Sequence, residues 1–141
     1  MFQNWKLFAF ASAVFAGLTA VLAKLGVKNI PSNYATLFRT VVIVLFLSFL
    51  AAVRREWLNP FSLDRKSLIF LVLSGLATGL SWLCYFKALQ LGPASLVAPI
   101  DKLSLVFVVM LSVAFLGEHL GPAQWLGVFL MSSGAILIAL K

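Results

Sequence analysis

Five unbroken apolar stretches of about 20 residues each constrain this chain more than any other feature. They run from about Trp5 to Ala23, Tyr34 to Val53, Ser67 to Leu89, Ala94 to Leu116 and Ala123 to Leu140. At 1.5 Å of rise per residue, a helix of about 20 residues matches the hydrocarbon core of a bilayer. Strands of a membrane barrel would need only about ten residues of strict alternation, whereas these stretches are apolar on every face. A backbone facing lipid must satisfy its own hydrogen bonds, so helices are expected. The sequence therefore predicts an all-α integral membrane fold, residues 1–141 forming one domain of five transmembrane helices.

Composition agrees and narrows the functions. Charged residues make up 11% of the chain and hydrophobic ones 62%, whereas a soluble domain carries about 25% charged residues. The water-soluble class is excluded. The net charge of +7 is spread in ones and twos between apolar runs, which fits membrane flanks and not a nucleic-acid surface. The chain has no P-loop, no nucleophile elbow and no zinc-binding histidine pair. Its single histidine, His119, stands beside Glu118 in a short connection. No enzymatic activity, cofactor or metal is expected. Glu118 reads as a dipole or capping partner of the last helix, and the lone Cys84 as a small apolar filler.

The connections are short. Pro31-Ser32-Asn33 supplies the start of the second helix, and Gly92-Pro93 and Gly121-Pro122 supply tight turns. The longest polar stretch, Arg54 to Lys66, contains Trp57, Asn59, Pro60 and Asp64. The first span competes with a signal peptide. A single preceding basic residue, the length of the run and the spans that follow favour an uncleaved helix. Small-residue ridges, Ala9/Ala13/Gly17 in the first span and Gly75 to Gly79 in the third, are expected to be close helix contacts.

With the N-terminus on side A, five crossings put the C-terminus on side B. Lys24, Arg39, Lys87, Asp101 and Lys102 then all fall in the side B third of the membrane. Asp101 lies about 10 Å along the fourth helix, and a charge at a helix centre costs about 2.5 to 3.5 kcal/mol on insertion scales. Helical side chains lean toward their own N-terminus. Arg39 and Lys102 thus lean out toward water and can snorkel, whereas Lys24 and Lys87 lean inward and need a counter-charge or a wet cavity. Asp101 is the only acid inside a span, and Pro99 beside it opens the helix locally, as at the ion and substrate sites of transporters. An ion pair of Asp101 with Lys87 or Lys102 is the structural alternative. In the third span Ser74, Thr78, Ser81 and Tyr85 share one face, with Trp82 about 60° away. That stripe is either interhelical hydrogen bonding or the wall of a hydrated path.

The second half of the chain resembles the EamA-type repeat of the drug/metabolite transporter superfamily. The resemblance is carried by Tyr85-Phe86-Lys87-Ala88-Leu89, Gly92-Pro93-Ala94, Leu116-Gly117-Glu118, Trp125-Leu126-Gly127 and Gly134. It implies a carrier of small metabolites, usually built of ten helices as two inverted five-helix repeats, of which this chain holds one. The chain departs from the four-helix small multidrug resistance branch, which keeps a carboxylate in its first span; here that span has Ser12 and Thr19 and no acid.

The expected function is secondary transport, in the export direction, of a small polar metabolite through a multi-pass protein of the cell's inner membrane. Four basic groups, Lys24, Arg39, Lys87 and Lys102, around one acid favour an anionic or zwitterionic substrate. The candidate binding or coupling residues are Asp101, Lys102, Lys87, Arg39, Lys24, Tyr85 and Trp82. The alternatives are a flippase subunit for an anionic lipid carrier and a non-transporting accessory membrane protein. An odd span number means that a second copy joined in tandem would be inverted, so a lone unit is expected to pair as a homodimer, antiparallel or parallel. Side A carries five basic residues, Lys6, Arg54, Arg55, Arg65 and Lys66. Side B carries three, Lys24, Lys28 and Lys141, or six with Arg39, Lys87 and Lys102, so charge fixes no single orientation.

Overall fold

The computed structural model describes residues 4–59 and 62–140, so Pro60 of the long connection and Lys141 of the side B charge count lie outside the described residues. Every regular element among the described residues is helical: α1 (Trp5–Gly26), α2 (Ser32–Arg54), α3 (Arg65–Leu91), α4 (Ala94–Asp101), α5 (Ser104–Leu111), a π-helical turn (Ser112–Leu116) and α6 (Pro122–Ala139). Five stretches are long and apolar enough to cross a membrane, the fourth being Ala94–Leu116. Aromatic side chains along them, such as Phe8, Phe46, Phe70, Phe107 and Phe129, are exposed. Lipid, not a protein core, is their solvent.

The helix ends explain where the expected spans were short. α3 begins two residues earlier than its apolar run because the Asp64 carboxylate accepts the backbone N–H groups of Lys66 and Ser67 at 3.1 and 3.3 Å. α2 ends on Arg55 in the left-handed conformation, φ 55°. The cap of α6 corrects the capping half of the expectation for Glu118. The Gln124 side chain accepts the Gly121 N–H instead, and the Glu118 N–H closes the π-helical turn on the Ser112 carbonyl. Gly117, at φ 67°, makes that exit possible without the strain a side chain would meet there.

The fourth span is broken where Pro99 was expected to open it. Proline cannot donate to the Ser95 carbonyl, and the chain tightens after it: Lys102 N–H bonds Pro99 O, Leu103 bonds Ile100, Leu105 bonds Lys102 and Val106 bonds Leu103, all three residues apart. Asp101 ends α4 and Lys102 follows it at this tightened turn before α5.

The chain divides into two compact units, Leu22–Leu91 and the remainder on either side of it. In Leu22–Leu91, α2 and α3 pack together. Ser32, Ala35 and Thr36, on one face of α2, are buried, as are Phe86 and Leu89 of α3 and Val27 before α2. Small side chains on one helix thus accept large ones from the other. In the second unit α4 and α5 both pack on α6, where Ala135 is buried. The two ridges expected to be helix contacts are exposed: Ala9, Ala13 and Gly17 of α1, and Gly75, Ala77 and Gly79 of α3, which are exposed or half-buried. A Cβ added at Gly17, Gly75 or Gly79 would meet nothing within 4 Å. Cys84 is likewise exposed on α3 and fills no gap.

Candidate functional site

The candidate residues of Leu22–Leu91 resolve into three arrangements, set by the register of α2 against α3. Arg39 stands seven residues into α2, about 10 Å along it. Its guanidinium lies 4.5 Å from the centroid of the Trp82 ring and 5.5 Å from that of Phe86. Trp82 is the deeper of the two along the membrane helix, so the cation is drawn inward along the aromatic face and does not run out to the helix end. A cation–π contact of this kind contributes about 0.5 to 2 kcal/mol as the site is desolvated. Tyr85, half-buried on the same side of α3, is within electrostatic range of the guanidinium. Arg39, Trp82 and Tyr85 are thus brought together, with Phe86 as a fourth member that was legible only as part of a motif.

Lys24 is placed differently. Its Nζ donates to the carbonyl of Leu89, in the last turn of α3, where carbonyls lack helical partners and the helix dipole is negative. The amine that was expected to need a counter-charge or a wet cavity thus has a backbone carbonyl within reach. Gln90 completes this latch: its Nε2 donates to the Ile30 carbonyl at 2.6 Å and to that of Val27 at 3.3 Å. Sequence reasoning missed Gln90. The available signal was a long amide at the end of an apolar span, two residues before Gly92-Pro93. Lys87 stands about 100° from Phe86 and about 140° from Trp82 around α3 and is exposed, so the structure does not bring it to the aromatic face.

Part of the hydroxyl stripe is satisfied within its own helix. Thr78 Oγ1 donates to the Ser74 carbonyl at 2.9 Å, as Thr36 does to Ser32 and Thr40 to Thr36 on α2. Back-bonding of this kind lets a hydroxyl face lipid without a partner helix.

In the other unit Lys102 Nζ lies 3.7 Å from Asp101 Oδ2, with the side chains 55% and 39% exposed. A tight charge-assisted bond is about 2.8 Å, so this pair is loose and leaves most of the carboxylate's lone pairs unused. Beside it, Ala98, Pro99 and Lys102 face Met131, Gly134, Ala135 and Ile138 of α6 across an open, mostly apolar groove of about 420 Å³. The α6 side of this groove was not foreseen. Among the described residues no group of three or more His, Cys, Asp or Glu side chains gathers as a metal site would require.

The sequence profile of the EamA-like transporter family matches residues 3–140. A Sinorhizobium protein described as an uncharacterized transporter in the cobO 3′ region is 51% identical over 139 residues, 99% of each chain. An uncharacterized protein of Methanocaldococcus jannaschii is 30% identical over 129 residues, 92% of this chain and 91% of its own. An uncharacterized transporter of Bacillus subtilis is 28% identical over 130 residues, which is 92% of this chain but 43% of the relative. No solved structure matches.

Proposed function

The chain belongs to the EamA-like transporter family, and we propose that it exports a small anionic or zwitterionic metabolite across the cell's inner membrane as a homodimer. The observation that carries the substrate class is Arg39, a permanent cation about 10 Å inside a membrane helix, supported by aromatic rings. A charge kept at that depth against its insertion cost marks a solute path more often than a structural need. Within the other unit, the loose Asp101–Lys102 pair at a proline-broken helix offers by itself a carboxylate and an ammonium with unused bonding capacity, the complement of a zwitterion. Broken membrane helices hold substrate and coupling-ion sites in other transporters.

Two facts support the homodimer. The chain spans less than half of its Bacillus subtilis relative, as one half of a two-repeat carrier would. The ridge residues Ala9 and Ala13 are exposed and Gly17, Gly75 and Gly79 have nothing within 4 Å of an added Cβ, the surface that close helix pairing in a membrane uses. An antiparallel pair recovers the inverted arrangement from one gene product.

The test is flux. Purified protein in liposomes should move amino acids or organic acids from a mixed panel, monitored by mass spectrometry of the lumen. Movement of organic cations alone, or of none of the panel, contradicts the proposal. C-terminal reporters active on both membrane faces support antiparallel insertion, and activity on one face alone assigns the parallel dimer.

A further inference from the structure

We propose that the Arg39 guanidinium, held over two aromatic rings, is the receptor for the carboxylate group of a water-soluble solute, gripped through its N–H donors. The assignment rests on the transport reading for its purpose, but its argument is local to Leu22–Leu91. A guanidinium carries its charge in a plane and its five donors around the rim. The Cζ lies 4.5 Å from the Trp82 centroid and 5.5 Å from that of Phe86, and ring faces, unlike oxygen atoms, do not satisfy the five N–H donors, which a carboxylate meets with two parallel bonds. A lysine ammonium on the same rings would offer a point charge with no such edge.

The charge balance of this unit points the same way. Its two acids, Glu56 and Asp64, both lie in the connection between α2 and α3, and Glu56 is 17 residues from Arg39, about 25 Å along the helix. Among the described residues of the unit no carboxylate pairs with the guanidinium. An anionic solute supplies the missing charge, and because one cation neutralises one charge, a carboxylate fits better than a phosphate dianion, which would leave the site negative. Lipid phosphate is disfavoured by depth: Arg39 lies about 10 Å along α2 from its end, whereas headgroups stay at the interface.

Trp82 itself reports on the site. Replacing Trp5, Trp57 and Trp125 with Phe leaves it as the sole tryptophan, and its emission in nanodiscs is followed while acetate, glycine, inorganic phosphate or tetramethylammonium is added at constant ionic strength. Acetate and glycine should give a saturable change, phosphate a weaker one and tetramethylammonium none. Arg39→Lys should weaken acetate binding at least about tenfold through loss of the bidentate edge, and Arg39→Gln should abolish it. Circular dichroism and gel filtration establish that each variant is folded. Arg39→Lys, which keeps the charge, serves if Arg39→Gln fails to fold. The proposal is overturned if acetate leaves Trp82 unchanged, if phosphate or tetramethylammonium binds more tightly than acetate, or if either folded variant binds acetate as the parent does. Parallel flux measurements separate the two readings. Arg39-dependent binding without flux sinks transport and keeps the receptor, whereas flux that survives Arg39→Gln with no Trp82 response does the reverse.

Discussion

In Leu22–Leu91, polar side chains are tied down: Lys24 and Gln90 donate to backbone carbonyls, and Arg39 lies on two aromatic rings. From Gly92 onward the chain does the opposite. Asp101 and Lys102 hold one another at 3.7 Å beside a helix that proline has broken. The first arrangement fixes geometry, as a recognition surface needs. The second leaves charges and backbone able to rearrange, as a coupling element needs.

The sharpest way to break this contrast is at the loose pair. Asp101→Asn should leave helix content and assembly unchanged while lowering flux about a hundredfold, equivalent to about 2.7 kcal/mol. Flux within a factor of about two of the parent would make the pair a structural ornament. Next in size is Pro99→Ala, which restores a donor to the Ser95 carbonyl and lets α4 and α5 join. Flux should fall several-fold while thermal stability rises, and a loss of both would mean that the break is needed for folding.

Gln90→Ala tests the tied-down unit. Losing both amide bonds should cost about 1 to 2 kcal/mol of stability, read as a lower denaturation midpoint, with substrate selectivity unchanged; a selectivity change with no loss of stability would place Gln90 in the recognition surface. The smallest effect belongs to Thr78→Val on α3. Because the Thr78 hydroxyl bonds its own helix, stability and flux should shift by less than about 0.5 kcal/mol equivalent. A larger loss would restore the stripe as a wall of the path.

Periodicity and length made the five spans readable to within about three residues at each end, because apolar length against bilayer thickness is a one-dimensional property. Pro99 and its break were readable for the same reason, since a missing N–H is local. Pairings between helices were not. Arg39 on Trp82 and Phe86, and Lys24 on Leu89, depend on the register of two helices that a single sequence does not encode visibly. The Asp64 cap was within reach and passed over, as the apolar run drew attention away from the carboxylate three residues before it. The exposed ridges teach a further limit. Small-residue spacing marks a surface able to pack closely without saying which chain supplies the other side.

Competition flux in liposomes tests the central claim most directly. Parent protein is loaded with a radiolabelled zwitterionic amino acid that it moves, and efflux is driven by external acetate, glycine or tetramethylammonium, in the parent and in Arg39→Gln. The account predicts acceleration by the carboxylate-bearing solutes in the parent, none by tetramethylammonium, and loss of efflux in Arg39→Gln. Equal acceleration by tetramethylammonium, or undiminished efflux in the folded Arg39→Gln protein, would contradict it.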